Sequence, residues 1–223
     1  MGFGIYQLYR VLQPGFRRRR WAVFLETLRP GPLTRNVDVG GHVEDWEGVV
    51  PIESPVTVLN LRPPADGGSV PERFTCATGD GRRMDFPTKS FDIVFSNSVI
   101  EHVGDFEDQK RFAAEVRRVG RMVFLQTPNR WFFIEPHFVT VFVHFLPWSI
   151  AKRLIRWCSF RGLVRTGDNV DLAQLGEELR LLSVKELREL FPDCEIHREK
   201  WYGMTKSFMV IRRQAPPVEG GPA

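Results

Sequence analysis

Gly40-Gly41 ends the run Asn36-Val37-Asp38-Val39, and a glycine pair where a strand gives way to a turn lets backbone N–H groups come close to a bound molecule. A dinucleotide loop needs G-x-G-x-x-G, whereas His42, Val43 and Glu44 follow here, and no Walker A lysine is present. Pyrophosphate binding is therefore disfavoured. Further polar or small residues end other apolar runs: Asn60, then Gly79-Asp80-Gly81, then Ser96-Asn97, then Asn129. Two imidazoles, His102 and His137, could take a proton from a reacting group. The alternative for His102 is a packing or capping histidine at a helix start, and for His137 an ion pair holding its segment to the core, for which Glu135 and Arg130 would suffice. Metal chemistry is not expected. His42, His102, His137, His144 and His197 show no ligand spacing, and Cys76, Cys158 and Cys194 lie far apart without a C-x-x-C pair.

The elements that must hold these residues alternate in type. Trp21, Phe24, Leu25 and Leu28 recur at helical spacing after Phe16-Arg17-Arg18-Arg19-Arg20, and Pro30-Gly31-Pro32 ends the pattern. Short apolar runs follow at Asn36–Val39, Val56–Leu61, Phe74–Thr78, Phe91–Asn97 and Met122–Gln126, each stopped by turn residues. Between the last two, Phe106–Val119 reads as a helix with Phe112, Val116 and Val119 on one face. Strands that are apolar on both faces belong to a parallel sheet covered by helices, so the class is α/β. In such sheets ligands gather beyond the carboxyl ends of the strands, where Asp38, Gly40, Gly41, Asn60, Asp80 and Asn97 fall. From Asn129 to about Asp171 the alternation breaks and aromatics crowd in, which reads as an inserted helical segment after strand 5. A Ser183-x-x-Glu186 capping box then opens another helix, and strands at Glu195–Tyr202 and Ser207–Arg212 pair across Gly203. The division expected is an N-terminal helical segment over 1–34, one domain over 35–214 and a frayed tail over 215–223.

With 223 residues, 43% hydrophobic and 26% charged, the chain suits one globular domain and excludes disorder throughout. The net charge of +4 is a weak pointer to acidic partners. The first residues lack the order of a secretory signal, and Phe138–Ile150 is too short and interrupted to span a bilayer, so a reducing, cytoplasmic setting is expected.

Three blocks resemble the class I S-adenosylmethionine-dependent methyltransferases, in the branch called methyltransferase type 11. Val37-Asp38-Val39-Gly40-Gly41 is similar to motif I, Gly79-Asp80-Gly81-Arg82-Arg83-Met84-Asp85-Phe86-Pro87 to the adenine-side segment, and Phe91-Asp92-Ile93-Val94-Phe95-Ser96-Asn97-Ser98-Val99-Ile100-Glu101-His102-Val103 to the strand-4 signature. The resemblance implies a Rossmann-like, mostly parallel sheet of seven strands with the last reversed, helices on both faces, and S-adenosylmethionine as cofactor. It implies that Asp38 and Gly40 border the methionine part, with Gly41 where side chains are crowded out. Asn60 falls where the family has an acid accepting both ribose hydroxyls, so Asn60→Asp should tighten binding. Asp80 would accept from the adenine amine, with Gly79 and Gly81 beside it, while Ser96 and Asn97 would lie next to the sulfonium. The implied activity is methyl transfer to a small-molecule, glycan or lipid-linked acceptor, with His102 and His137 as candidate catalytic bases. Alternatives are an RNA methyltransferase and a catalytically inactive binding module of the same fold.

Nucleic acid is disfavoured as a partner because the Arg17–Arg20 run stands without an RNA-binding motif, and four arginines more commonly mark a solvated helix start. No obligate protein partner is expected. Along Ile150–Cys158, at about 100° per residue, the apolar residues fall on one arc and Lys152, Arg153 and Arg156 on the other, as in helices that lie on an anionic membrane face. The bland reading is a core helix with a solvated basic side.

Overall fold

The computed structural model describes the backbone of residues 5–47, 53–63, 70–132, 134–135, 140–141 and 179–213, and side chains within 15–46, 53–63, 70–132 and 179–213. The element order is α1 (Ile5–Leu28), β1 (Asn36–Val39), α2 (Val43–Glu47), β2 (Val56–Asn60), β3 (Phe74–Thr78), β4 (Phe91–Asn97), a 3₁₀ turn (Ile100–His102), α3 (Phe106–Val119), β5 (Gly120–Pro128), β6 (Ile134–Glu135), β7 (Thr140–Val141), α4 (Val184–Leu190), β8 (Glu195–Trp201) and β9 (Met204–Arg212).

Seven strands form one sheet in the order β3-β2-β1-β4-β5-β9-β8, while β6 and β7 pair separately. β1 to β5 run parallel, and β9 is antiparallel to both β5 and β8. Among the described strands of the sheet, the one reversed strand is therefore the last, as expected. Parallel strands need covered faces, and both are covered. On one, Phe112, Val116 and Val119 of α3 and Leu187 and Leu190 of α4 pack with Val94, Val123 and Val210. On the other, Trp21, Phe24 and Leu28 of α1 and Trp46 of α2 pack with Phe95, Phe124 and Ile211.

Local chemistry accounts for the ends of these elements. The Asp105 carboxylate caps α3 through the Asp108 N–H, and the Ser183–Glu186 capping box opens α4 with both reciprocal bonds made. Tyr202 and Gly203 have φ of 46° and 81°, the paired left-handed conformation of a two-residue hairpin turn. Most sequence boundaries hold within two or three residues. The exceptions are α1, expected from Phe16 but beginning at Ile5, so that Pro14 and Gly15 lie inside it, and the short β6–β7 pair, which stands in the segment expected to be helical. The aromatic insert, the Ile150–Cys158 pattern and the tail lie largely or wholly outside the described residues. No described helix is long and apolar enough to cross a membrane.

α1 is thus part of the core. Phe24 is fully buried, with ring centroids 5.4 Å from Trp21, 5.8 Å from Trp46, 5.4 Å from Phe95 and 5.5 Å from Phe124. Phe24→Ala should lower unfolding stability by ~3–5 kcal/mol, seen as a lower urea midpoint at unchanged slope. A midpoint like that of the unaltered protein would mean that the helix does not pack on the sheet.

Candidate functional site

Asp38 points from β1 toward α2 and is completely buried. Its Oδ2 accepts from Trp46 Nε1 at 2.7 Å, whereas Oδ1 is buried with no hydrogen-bond partner among the described residues. Burial pushes this carboxyl up to about 7, against the lowering effect of the Trp46 bond; Asp45 adds to the rise and Arg17 opposes it. The following turn is built around the carboxylate. A Cβ on Gly41 would lie 1.9 Å from Oδ2, and one on Gly40, where φ is +79°, would lie 2.6 Å from Val99 Cγ2. Neither position admits a side chain. His42 and Glu44, where the family commonly has glycine, are exposed and do not obstruct this turn.

The ends of β2 and β3 meet the same turn. Asn60 Nδ2 donates to the Gly41 carbonyl at 2.9 Å, Gly40 N–H donates to Leu59 O at 2.8 Å, and Gly79 N–H donates to Asn60 O at 2.9 Å. Gly81 fits tightly, since a Cβ there would approach Phe112 to 2.7 Å. The Asp80 carboxylate receives Arg82 through Nε at 3.1 and 3.0 Å and Nη2 at 2.7 Å, and also the Arg82 N–H at 2.8 Å. Hydrogen bonds from Arg82 hold the carboxyl below its ordinary value, despite some opposing burial. Asp80 is thus a fixed carboxylate whose nearest cation is its own loop's.

At the end of β4, Ser96 Oγ donates to Val39 O at 3.0 Å, tying it to β1. Asn97 pairs in register with Gln126 of β5. Arg20 of α1 reaches both: Nη1 donates to Asn97 Oδ1 at 3.2 Å and to Gln126 Oε1 at 3.0 Å. Its other face grips Glu199 of β8, Nε at 3.1 Å and Nη2 at 2.8 Å. Glu199 is nearly inaccessible, its side chain 1% exposed, and it also accepts from Ser207 Oγ. Burial would raise this carboxyl, but the bonds and charge of Arg20, with Ser207 and Lys206 adding, leave it below the usual range. Lys206, itself buried, has its ammonium 3.7 Å from the Phe16 ring centroid, and burial together with Arg20 pushes it down to about 8.

The structure therefore brings Asp38, Gly40, Gly41, Asn60, Gly79, Asp80, Gly81, Ser96 and Asn97 to one edge, the carboxyl ends of β1 to β4. His102 sits on the 3₁₀ turn beyond β4, exposed, beside Glu101, whose buried Oε2 accepts from Thr127 Oγ1 at 3.0 Å. His137 lies outside the described residues. Asp92, which the strand-4 signature also contains, accepts the Arg35 N–H at 2.9 Å and braces the start of the sheet instead. One expectation is revised. The Asn60 amide donates to the Gly41 carbonyl, so a carboxylate there would lose that bond and face a carbonyl oxygen, and Asn60→Asp has no reason to improve the site.

Sequence reading missed Arg20, Gln126, Glu199 and Trp46. A signal for Arg20 existed: it stands four and eight residues before Phe24 and Leu28, on the buried stripe, which separates it from Arg17, Arg18 and Arg19. Glu199 had none, because a charge in an amphipathic strand reads as solvent-facing.

Residues 54–122, about a third of the chain, match a family model of a methyltransferase domain; the match starts after β1 and so omits the turn at Gly40-Gly41. A search of curated proteins found no match. Similar solved structures include the 1,6-didemethyltoxoflavin-N1-methyltransferase of Burkholderia thailandensis, with bound S-adenosylhomocysteine, at 13% identity and TM-score 0.57 over 90% of this chain and 78% of that one. Phosphoethanolamine N-methyltransferase 2 of Haemonchus contortus, solved with S-adenosyl-L-methionine, is similar at 14% and 0.53 over 81% and 38%. A Rhodobacter sphaeroides protein provisionally named a zinc-dependent alcohol dehydrogenase is similar at 16% and 0.55 over 86% and 88%. Identities this low speak for fold alone. Residues 54–122 thus match a methyltransferase-domain model, and the chain shares its fold with solved S-adenosylmethionine-dependent methyltransferases, its sheet closing on the reversed strand β9.

Proposed function

We propose that the chain moves a methyl group from S-adenosylmethionine to a small-molecule, glycan or lipid-linked acceptor. The observation that carries this reading is Asp38: a buried carboxyl with one oxygen unpartnered, under a turn that excludes side chains. Such an arrangement is costly as packing and is accounted for by a cationic group that arrives with a ligand. S-adenosylmethionine supplies a methyl group on a positively charged sulfur, a good leaving group that requires no metal. Asp38, Gly40 and Gly41 would hold its methionine end, Asn60 one ribose hydroxyl through Oδ1, and Asp80 with Gly79 and Gly81 the adenine. Ser96 and Asn97 would line the reacting side. The chain's task is then to align the acceptor and, where its nucleophile carries a proton, to accept it. His102 is the described candidate for that role, and His137 the second.

The strand-4 block and the absence of an RNA-binding motif favour a small or lipid-linked molecule over RNA. Contact with an anionic membrane through Lys152, Arg153 and Arg156 is part of the same proposal and rests on sequence pattern alone.

Calorimetry with S-adenosylhomocysteine tests the cofactor half. The unaltered protein should bind; Asp80→Ala should bind about ten to a hundredfold more weakly while remaining folded, and Asn60→Asp should also weaken binding by loosening the Gly41 carbonyl. Equal affinity in all three would reject these assignments. For the proton acceptor, His102→Gln and His137→Gln should each be compared with the unaltered protein once an acceptor is found. The true base should lose ~10²–10⁴ in kcat at unchanged cofactor affinity. Near-normal turnover in both would leave alignment as the whole mechanism.

A pH measurement isolates Asp38. Its folded value of about 7 exceeds the unfolded 3.8, so the folded state keeps a proton that the unfolded chain releases between those values. The resulting stabilisation is complete below about pH 4 and is lost as pH rises through about 7. Between pH 4 and pH 8, without cofactor, the stability of Asp38→Asn relative to the unaltered protein should therefore shift in the variant's favour, by at most ~4 kcal/mol at about 1.4 per pKa unit. Urea melts at the two pH values that show a constant difference would place the Asp38 carboxyl in its ordinary range.

A further inference from the structure

We infer that Arg20, on the N-terminal helix, is a positioning residue for the cofactor turn at Gly40-Gly41, acting through Gln126, Ser98 and Val99. The inference rests on the reading of that turn as the methionine-side site. The physical chain has four links. Arg20 Nη1 donates to Gln126 Oε1 at 3.0 Å, and Ser98 Oγ donates to the same oxygen at 2.9 Å, so two donors fix the orientation of one amide. Ser98 N–H donates to Gln126 O at 2.9 Å, so β5 holds Ser98 by both main chain and side chain. Ser98 needs that hold, because its φ of 58° is left-handed and disfavoured for any residue with a Cβ. The residue it turns into place is Val99, whose methyl groups fill the space a Cβ on Gly40 would occupy.

Arg20 is suited to the task by its own restraint. Glu199 grips its Nε and Nη2, and Nη1 then spans Asn97 and Gln126, neighbours on adjacent strands. The guanidinium is a rigid plane with its donors in a fixed fork, and a lysine ammonium could not serve Glu199 and both amides at once. Docking of α1 is thereby linked to the shape of the loop after β4, and through Val99 to the turn after β1.

The test compares S-adenosylhomocysteine affinity with thermal stability, at a temperature where circular dichroism shows every variant folded. Arg20→Met should weaken binding tenfold or more. Arg20→Lys should keep more of the stability than Arg20→Met yet still lose at least several-fold in affinity. Leu28→Ala, which loosens the far end of α1 without touching this network, should lower the melting temperature and leave affinity within twofold of the unaltered protein. The deciding variant is Ser98→Gly, because glycine adopts the left-handed conformation without bracing. In that background Arg20→Met should cost less than threefold. Unchanged affinity in Arg20→Met, an equal loss in Leu28→Ala, or an undiminished loss in the Ser98→Gly background would each overturn the inference. A folded, unaltered protein that fails to bind S-adenosylhomocysteine at all would instead overturn the cofactor reading on which it rests.

Discussion

The Arg20–Glu199 ion pair is the constraint on which the arrangement of this molecule turns. It joins α1 to the edge strand β8, and it does so over the carboxyl ends of the central strands, where Asn97 and Gln126 accept from Nη1. A carboxylate as inaccessible as Glu199 is tolerable only when its charge is matched and its oxygens are bonded, and Arg20 with Ser207 meets both conditions. Breaking such a pair from one side leaves a buried charge, so helix, sheet end and loop are held as one body. The stacked rings of Trp21, Phe95 and Phe124 beneath it supply the apolar burial that keeps α1 on the sheet.

Two of the buried acids, Glu199 and Asp38, differ in how their charge is met. Glu199 is fully partnered and held ionised. Asp38 is equally buried, keeps one bond from Trp46, and is driven toward neutrality. A protein selected only for stability would have no use for the second arrangement. Its place under a turn shaped by two glycines is what supports the proposal that this turn receives a charged ligand, and the well-packed aromatic layer on the same face offsets its cost.

Much of this was legible in the chain. The strands, α3, α4 and the final hairpin follow from local chemistry: apolar runs ended by turn residues, a capping box, and Gly203 at a left-handed position. These features involve residues a few positions apart, so sequence order and spatial order coincide. The row Asp38, Asn60, Asp80 and Asn97 was also foreseeable, since parallel strands bring their carboxyl ends to one edge whatever lies between them.

Tertiary structure decided the remainder, because it alone sets which polar group meets which. Arg20 and Glu199 are separated by 179 positions and neither carries a local mark of burial beyond the helical phase of Arg20. Asn60, read as a weakened ribose acceptor, became a brace for Gly41 once β1 and β2 lay side by side. Asp80, read as an acceptor for the adenine amine, is held by Arg82 two residues on. In each case the residue type and its place at the sheet edge came from the sequence, while its hydrogen-bond partner came from packing, since a donor's choice of acceptor depends on distances of tenths of an ångström that no linear pattern encodes.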